Sequence, residues 1–211
     1  MKKTLAAAAV LFTTIALTAC SGSKPAATLK KTDASADVTT CGMEIQFPAD
    51  WEVLVGDDVY DKLFENSSGS YADADKLKES YTADGAAYLL YAASPDQTAM
   101  ITLTTLEITA DENTGEQLTL EEYAHTNHNN SLIGWQIDGY TLENTGFESQ
   151  TTGGAEGWNS RCEVYTDDQL LMGQSEFTFE YGGCFCSLQT YYHTPEAGSD
   201  ITAIVSGISA K

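Results

Sequence analysis

Two histidines and a glutamate share one face of a predicted helix in the middle of the chain. Glu121, His125 and His128 stand at positions i, i+4 and i+7, which brings their side chains close together on an α-helix. Imidazole and carboxylate groups are ligands of zinc and other borderline divalent metals. The spacing therefore predicts a candidate metal site. A fourth ligand is not evident, and the alternative is that these side chains are simply solvated.

Four of the five cysteines follow residue 40 and carry the other reactive groups. Cys184 and Cys186 are two residues apart on a predicted strand, so their thiols point to the same face. A bond between them has poor geometry, and in a simple meander Cys162 lies two strands away, too far for a disulfide. Cys41 stands at the start of the folded part and is the thiol freest to reach a partner. We predict that any disulfide includes Cys41, paired with Cys184 or Cys186.

No catalytic motif accompanies these residues. The sequence contains no Gly-x-Ser-x-Gly, no P-loop and no His-Glu-x-x-His motif, and no base stands at a recognisable spacing from a cysteine. The pairs Asp57-Asp58 and Asp73-x-Asp75 lack the glycine and the terminal glutamate of an EF-hand loop. We therefore predict a non-enzymatic protein without a cofactor.

The first twenty residues have the pattern of an export signal. Lys2 and Lys3 precede a mostly apolar run from Leu5 to Leu17, which is shorter than the roughly 20 residues that a membrane span requires. Leu17-Thr18-Ala19-Cys20 resembles the bacterial lipobox, in which the cysteine is acylated and becomes the new N-terminus. The resemblance implies a signal peptide over 1–20 and a lipid anchor at Cys20, on the extracytoplasmic face of a cell membrane.

Composition and charge divide the rest of the chain. Residues 21–40 are rich in Ser, Ala, Thr and Lys, and this composition predicts a disordered tether. Beyond residue 40 there are 29 acidic and five basic residues, a formal net charge of −24. Such a surface repels phosphate backbones and anionic headgroups, which argues against nucleic-acid binding. Three explanations of this acidity stay open: solubility, a cationic partner, and loosely bound calcium.

Residues 41–211 are predicted to form one α+β domain. Apolar and polar side chains alternate from Met43 to Phe47, which indicates a half-buried strand, and most of the later segments are also strand-like. Thr119 and Glu122 form a capping box at the start of one helix, and Pro195 opens a second. A helix on each side of one antiparallel sheet gives an α/β/α sandwich.

Three segments of this domain match the pattern of a known family. The first is the opening strand, Gly42 to Trp51, which ends in Phe-Pro-x-x-Trp. The others are the helix that begins with Thr119-Leu-Glu-Glu-Tyr and the closing helix, Ile201 to Ser206. In these segments the chain resembles the PsbP/Mog1-like domains, in particular the small bacterial lipoproteins of that fold. The resemblance covers about residues 41 to 210. It implies a non-enzymatic accessory or binding module that has no shared catalytic residues.

The segment 57–83 has no counterpart in that family and interrupts the strand pattern. It reads as polar and irregular, with helical spacing only from Asp73 to Tyr81. Loops on a rigid scaffold often carry recognition. We therefore predict a binding surface of four aromatic residues, unless these rings only seal the segment onto the core: Tyr60, Phe64, Tyr71 and Tyr81.

Together these features predict a monomeric lipoprotein, anchored to a lipid membrane, that binds an unidentified protein or small ligand. The alternatives are a divalent-metal carrier and a hydrolase whose site is not recognisable from the sequence.

Overall fold

The computed structural model describes residues 24–66, 71–110 and 115–211. Cys20 and the predicted signal peptide lie outside the described residues. The strands are β1 (Ala27–Lys31), β2 (Ser35–Thr40), β3 (Met43–Pro48), β4 (Glu52–Val55), β5 (Ala86–Ala93), β6 (Ala99–Glu107), β7 (Thr141–Thr152), β8 (Ala155–Thr166), β9 (Gln169–Tyr181), β10 (Cys184–Tyr192) and β11 (Ser209–Ala210). The helices are α1 (Asp57–Asn66), α2 (Ala74–Ala83), α3 (Leu120–Ile137) and α4 (Pro195–Ser206). In this part of the chain no helix has the length and apolarity needed to cross a bilayer.

The strands form two antiparallel sheets. A small sheet has the order β1-β2-β3-β11, and a large sheet has the order β4-β5-β6-β10-β9-β8-β7. The predicted α+β class and the predicted meander from β7 to β10 are confirmed. The expected single sheet is wrong, because β3 pairs with β2 and β11 instead of joining the large sheet.

The prediction of a disordered tether over 21–40 is wrong from Ala27 onward. Strands β1 and β2 pair with each other, and β2 continues through a tight turn into β3. In β2 the side chains of Ala36 and Val38 are buried and those of Ser35 and Asp37 are not. A period of two is enough to define a strand. The tether prediction rested on composition, and Ala, Ser and Thr are typical of a spacer. The alternation of buried and less buried positions was therefore overlooked.

The small sheet and α4 cover one face of the large sheet. Cys186 and Leu188 of β10 share a core with Ile45 of β3 and Ile201 of α4. Side chains of β10 that point the other way meet α3, where the ring of Phe185 stacks on Tyr123 with 4.4 Å between centroids. Both faces of the central strands are therefore covered, the second face by helices alone.

Helix α1 replaces the first part of the irregular segment predicted over 57–83, whereas α2 confirms the helical spacing predicted from Asp73 to Tyr81. Val59 of α1 is buried against Tyr91 and Ala93 of β5. Helix α2 begins at an N-cap, where the Asp73 side chain accepts a hydrogen bond from the backbone N–H of Lys76 at 2.8 Å. The apolar spacing of α1, with Val59 and Leu63 four residues apart, is the signal that the sequence prediction missed.

The predicted capping box at the start of α3 is confirmed. The Thr119 hydroxyl accepts from the backbone N–H of Glu122 at 3.2 Å, and the Glu122 carboxylate accepts from the backbone N–H of Thr119 at 2.9 Å. The bond from the Thr119 N–H, with a second from the Thr119 hydroxyl, lowers the pKa of the Glu122 carboxyl. The helix runs on to Ile137, three residues beyond the Gly134 at which we expected it to end.

We expect Thr119→Ala to lower the free energy of unfolding by about 1 kcal/mol, since it leaves the N–H of Glu122 without its acceptor. Urea unfolding followed by circular dichroism measures the change. Thr126→Ala, an exposed position in the same helix, is the control and should change stability by less than about 0.5 kcal/mol. Equal losses in both variants would contradict a capping role.

Candidate functional site

The three predicted metal ligands do not form a site. Glu121 is exposed, and His125 Nδ1 accepts a hydrogen bond from the Asn129 side chain at 3.0 Å. His128 turns inward and is buried. The described residues contain no group of three or more His, Cys, Asp or Glu side chains that could hold a metal ion. Of the three side chains predicted to share a helix face, those of Glu121 and His125 are exposed and that of His128 is buried.

His128 instead contacts Ser160 of β8. Its Nδ1 lies 2.8 Å from the serine Oγ, and its ring stacks on Phe147. Burial, with a contribution from His125, lowers the pKa of His128 and so favours the neutral ring. Ser160 borders a polar cavity of about 300 Å³ between α3 and the sheet. A serine nucleophile also needs a group that orients its base, and in the described chain no carboxylate is hydrogen-bonded to the His128 ring.

The aromatic side chains of the 57–83 segment mainly join it to the sheet. Tyr60 is only 4% exposed, and its hydroxyl accepts from the backbone N–H of Tyr88 at 3.0 Å. The ring of Tyr81 meets Tyr88 edge-on, with 5.2 Å between centroids. Phe64 and Tyr71 are half-buried. The predicted binding surface is therefore wrong for Tyr60, whose ring is part of the packing.

The cysteines fall into a cluster and an isolated member. Cys41 Sγ and Cys186 Sγ are 3.8 Å apart, and both thiols are free and buried. Cys184 is also buried, two residues away on the same strand. Cys162 lies on β8 opposite Gln174 of β9, so a whole strand separates it from β10. The structure thus brings Cys41 to one of its two predicted partners, while the bond itself stays a prediction.

An open groove of about 570 Å³ lies beside α4, and we call it the α4 groove. Apolar groups form its floor, among them Trp51, Ala99 and Ile204. Its rim carries four carboxylates, all on exposed residues: Asp50, Asp96, Glu196 and Asp200. Three separate stretches of chain meet here, namely the end of β3 with the turn after it, the β5–β6 hairpin, and α4 with its N-cap.

Local hydrogen bonds fix the shape of the α4 groove. The Asp96 carboxylate accepts from the Ser94 hydroxyl at 2.7 Å and from the Thr98 hydroxyl at 2.8 Å. These bonds, with one from the Thr98 backbone, lower the pKa of Asp96 and keep it ionised. On the opposite wall the Thr194 hydroxyl caps α4 by accepting from the N–H of Ala197 at 3.2 Å. The groove is therefore preformed and negatively charged.

The segments that line the α4 groove can each be recognised in the sequence, but their proximity in the fold cannot. The helix start predicted at Pro195 is confirmed, and the chain also turns at Ser94-Pro95-Asp96, a sequence that is typical of turns. Trp51 is buried and packs against Phe47 with 5.8 Å between ring centroids. Trp51 and Thr194 are 143 positions apart in the sequence, so no linear motif could have revealed the groove.

A second cavity, of about 390 Å³, lies on the other side of α4 and contains Glu163. Burial acts to raise the pKa of the Glu163 carboxyl. Hydrogen bonds from Tyr192, Asn144 and Tyr165 outweigh that effect and lower it. The Tyr192 hydroxyl donates at 2.7 Å and the Tyr165 hydroxyl at 3.1 Å. Because Tyr192 belongs to β10 and Glu163 to β8, the hydrogen bond between them links the two strands beside α4.

No family model matches the chain, and no curated protein matches it. Among solved structures, the chain is similar to the solution structure of PsbP (CyanoP) from the cyanobacterium Synechocystis sp. PCC 6803. Identity is 11% and the TM-score 0.48, over 88% of this chain and 93% of that one. It is also similar to LpqN, described as involved in cell envelope biogenesis of Mycobacterium tuberculosis. There the identity is 11% and the TM-score 0.43, over 88% and 91% of the two chains. A PsbP protein is thus among the similar structures, while membership of the PsbP/Mog1-like family stays a prediction.

Proposed function

We propose that the protein is an extracytoplasmic lipoprotein whose domain binds a basic, partly apolar segment of another protein in the α4 groove. The role is accessory and non-enzymatic. The observation that carries the proposal is the α4 groove itself, which combines an apolar floor with four rim carboxylates. Its position relative to Cys20 supports the same conclusion.

The folded domain begins very close to the proposed anchor. Only six residues separate Cys20 from Ala27, the first residue of β1. A chain advances at most about 3.5 Å per residue, so Ala27 lies within roughly 25 Å of the lipidated cysteine. Ala27 pairs with Thr40, next to the β2–β3 turn. That turn therefore marks the end of the domain nearest the membrane.

The α4 groove lies at the opposite end. Strand β3 runs from the β2–β3 turn to Pro48, which borders the groove. Strand β10 runs in the same sense, from Cys184 near Cys41 to Tyr192 just before Thr194 of the groove. Nine residues at about 3.3 Å each make β10 nearly 30 Å long. The groove then opens away from the bilayer, where a partner in the extracytoplasmic space can reach it.

The charge of the groove defines the class of partner. The residues that line it include four acidic side chains and no lysine or arginine. Opposite charge on the partner would speed association and set its orientation, while the apolar floor supplies buried area. The domain as a whole is strongly acidic, which disfavours nucleic acid and anionic lipid as partners.

Titration with a synthetic basic peptide tests this function. We expect a ten-residue peptide of alternating Lys and Leu to bind the detergent-solubilised full chain, measured by calorimetry in dilute buffer. The double variant Asp50→Asn/Asp200→Asn should weaken binding about tenfold, because it halves the charge of the rim. The control, Glu121→Gln/Glu156→Gln, removes the same charge from exposed sites outside the groove and should change affinity less than about twofold.

Equal weakening by the two double variants would mean that the peptide senses only the net charge of the domain. Absence of binding to the unaltered protein would equally contradict the proposed function. Binding of lysine amide alone, with the affinity of the peptide, would point instead to a small cationic ligand.

A further inference from the structure

The contact between Cys41 and Cys186 joins the two sheets of the domain. Cys41 belongs to the β2–β3 turn of the small sheet, and Cys186 lies in β10 at the centre of the large one. Their sulfurs are 3.8 Å apart, and the residues are 145 positions apart in the chain. Cys41 is 5% exposed and Cys186 is completely buried.

The backbone at Cys41 is unusual for a cysteine. Cys41 and Gly42 have φ angles of +47° and +74°, and they form a two-residue hairpin loop between Thr40 and Met43. Positive φ at both loop positions defines a type I′ turn, whose first position favours Asn, Asp or Gly. A cysteine there carries a conformational cost. The thiol that it directs against β10 is the compensating feature.

We propose that Cys41 and Cys186 are joined by a disulfide bond in the exported protein. The sulfurs need to approach by less than 2 Å to reach the bond length of about 2.05 Å, which small side-chain rotations can supply. The bond would tie the hairpin that follows the anchor to the central strand of the large sheet. This inference does not depend on the α4 groove or on any partner.

The oxidation proceeds by thiol–disulfide exchange with an oxidised dithiol protein of the extracytoplasmic space. The Cys41 thiolate attacks the disulfide of that oxidant, forms a mixed disulfide and releases one thiolate of the oxidant. The Cys186 thiolate then attacks the Cys41 sulfur, forms the internal bond and releases the second thiolate. Two protons leave the protein's thiols, and two electrons reduce the oxidant's disulfide to a dithiol.

The environments of the two sulfurs suit this order of attack. The hydrogen bond from Cys186, with a smaller one from Thr40, lowers the pKa of the Cys41 thiol against the opposing effect of burial. The same contact and burial both raise the pKa of the Cys186 thiol. Cys41 is therefore the thiol that ionises first. It also lies in the β2–β3 turn and is 5% exposed, whereas Cys186 is completely buried, so an oxidant meets Cys41 first.

Cys184 and Cys162 are the competing partners, and geometry disfavours both. Cys184 shares the face of Cys186 but lies at the end of β10, where burial and Glu107 raise the pKa of its thiol. Cys162 is separated from β10 by strand β9. The structure records a sulfur–sulfur contact for Cys41 with Cys186.

Peptide mapping tests the bond directly. The full chain, expressed with its own signal sequence, is recovered from whichever fraction contains it, alkylated without reductant and digested with chymotrypsin. This protease cuts after Phe185 and so separates Cys184 from Cys186. We expect a crosslinked peptide pair that contains Cys41 and Cys186, with Cys162 and Cys184 alkylated. Four alkylated cysteines, or a bridge from Cys41 to Cys184, would overturn the proposal.

Thermal unfolding of two serine variants provides a second test. Cys186→Ser and Cys184→Ser make the same small change in buried side chains of one strand. Reduction in urea and refolding with reductant should lower the Tm of the unaltered protein and of Cys184→Ser by about 10 °C, since a very long loop is released. Cys186→Ser should show no further loss on reduction. A Tm of the unaltered protein that is insensitive to reduction would contradict the bond.

Discussion

Replacement of Gly157 by alanine should lower the free energy of unfolding by about 3 kcal/mol. Gly157 is buried in β8, opposite Phe179 of β9. A Cβ atom there would lie 2.2 Å from the backbone oxygen of Thr178 and 2.9 Å from the ring of Phe177. Because one of these atoms belongs to the backbone, rotation of a side chain cannot relieve the clash. Strands β8 and β9 would have to separate.

Urea unfolding at 25 °C measures this loss, and Gly134→Ala is the matched control. A Cβ at Gly134 would meet no atom within 4 Å. The change places a better helix former within α3, so we expect a gain of up to about 1 kcal/mol. A Gly157→Ala protein as stable as the original would show that the close approach of β8 to β9 is not present in solution.

Alternation and capping made much of the fold predictable. Met43, Ile45 and Phe47 alternate with polar residues, and all three are buried in the core. Thr119 and Glu122 marked the start of α3 at the correct residue. These signals are local, because the period of a strand and the geometry of a helix cap involve only neighbours in sequence.

The failures concern features that neighbours in sequence do not determine. Val38 is the single large apolar residue between Ser35 and Thr40, and its pairing with Ile45 is set by the β2–β3 ladder as a whole. Which sheet β3 joins depends on strands far along the chain. The α4 groove likewise arises where three distant segments meet, so neither its volume nor its charge pattern is visible before folding.

The cysteines include one feature that the sequence predicts and one that only the folded structure determines. Position in the chain selected Cys41 as the mobile partner and excluded Cys162, whose strand lies where the meander predicted it. Alternation could not choose between Cys184 and Cys186, since both point to one face of β10. Packing makes the choice, because the β2–β3 turn lies over Cys186.

Loss of the proposed anchor at Cys20 is the second large expected effect, because that anchor would decide where the whole domain resides. A single acyl chain gives only marginal membrane binding, and two or more give stable anchoring. We expect Cys20→Ala to lose the lipid and to abolish recovery in the membrane fraction or to leave the precursor uncleaved. Cys162→Ser, which removes a different thiol, is the control and should keep both the mature mass and the membrane partition.

The most direct measurement is the intact mass of the protein from washed membranes, compared between the original chain and Cys20→Ala. The account predicts that the original chain begins at Cys20 and carries the added mass of acyl groups, and that the variant has no such species. An original chain whose mass shows no acyl group, or a Cys20→Ala protein with unchanged mature mass and unchanged membrane partition, would contradict the proposed lipoprotein.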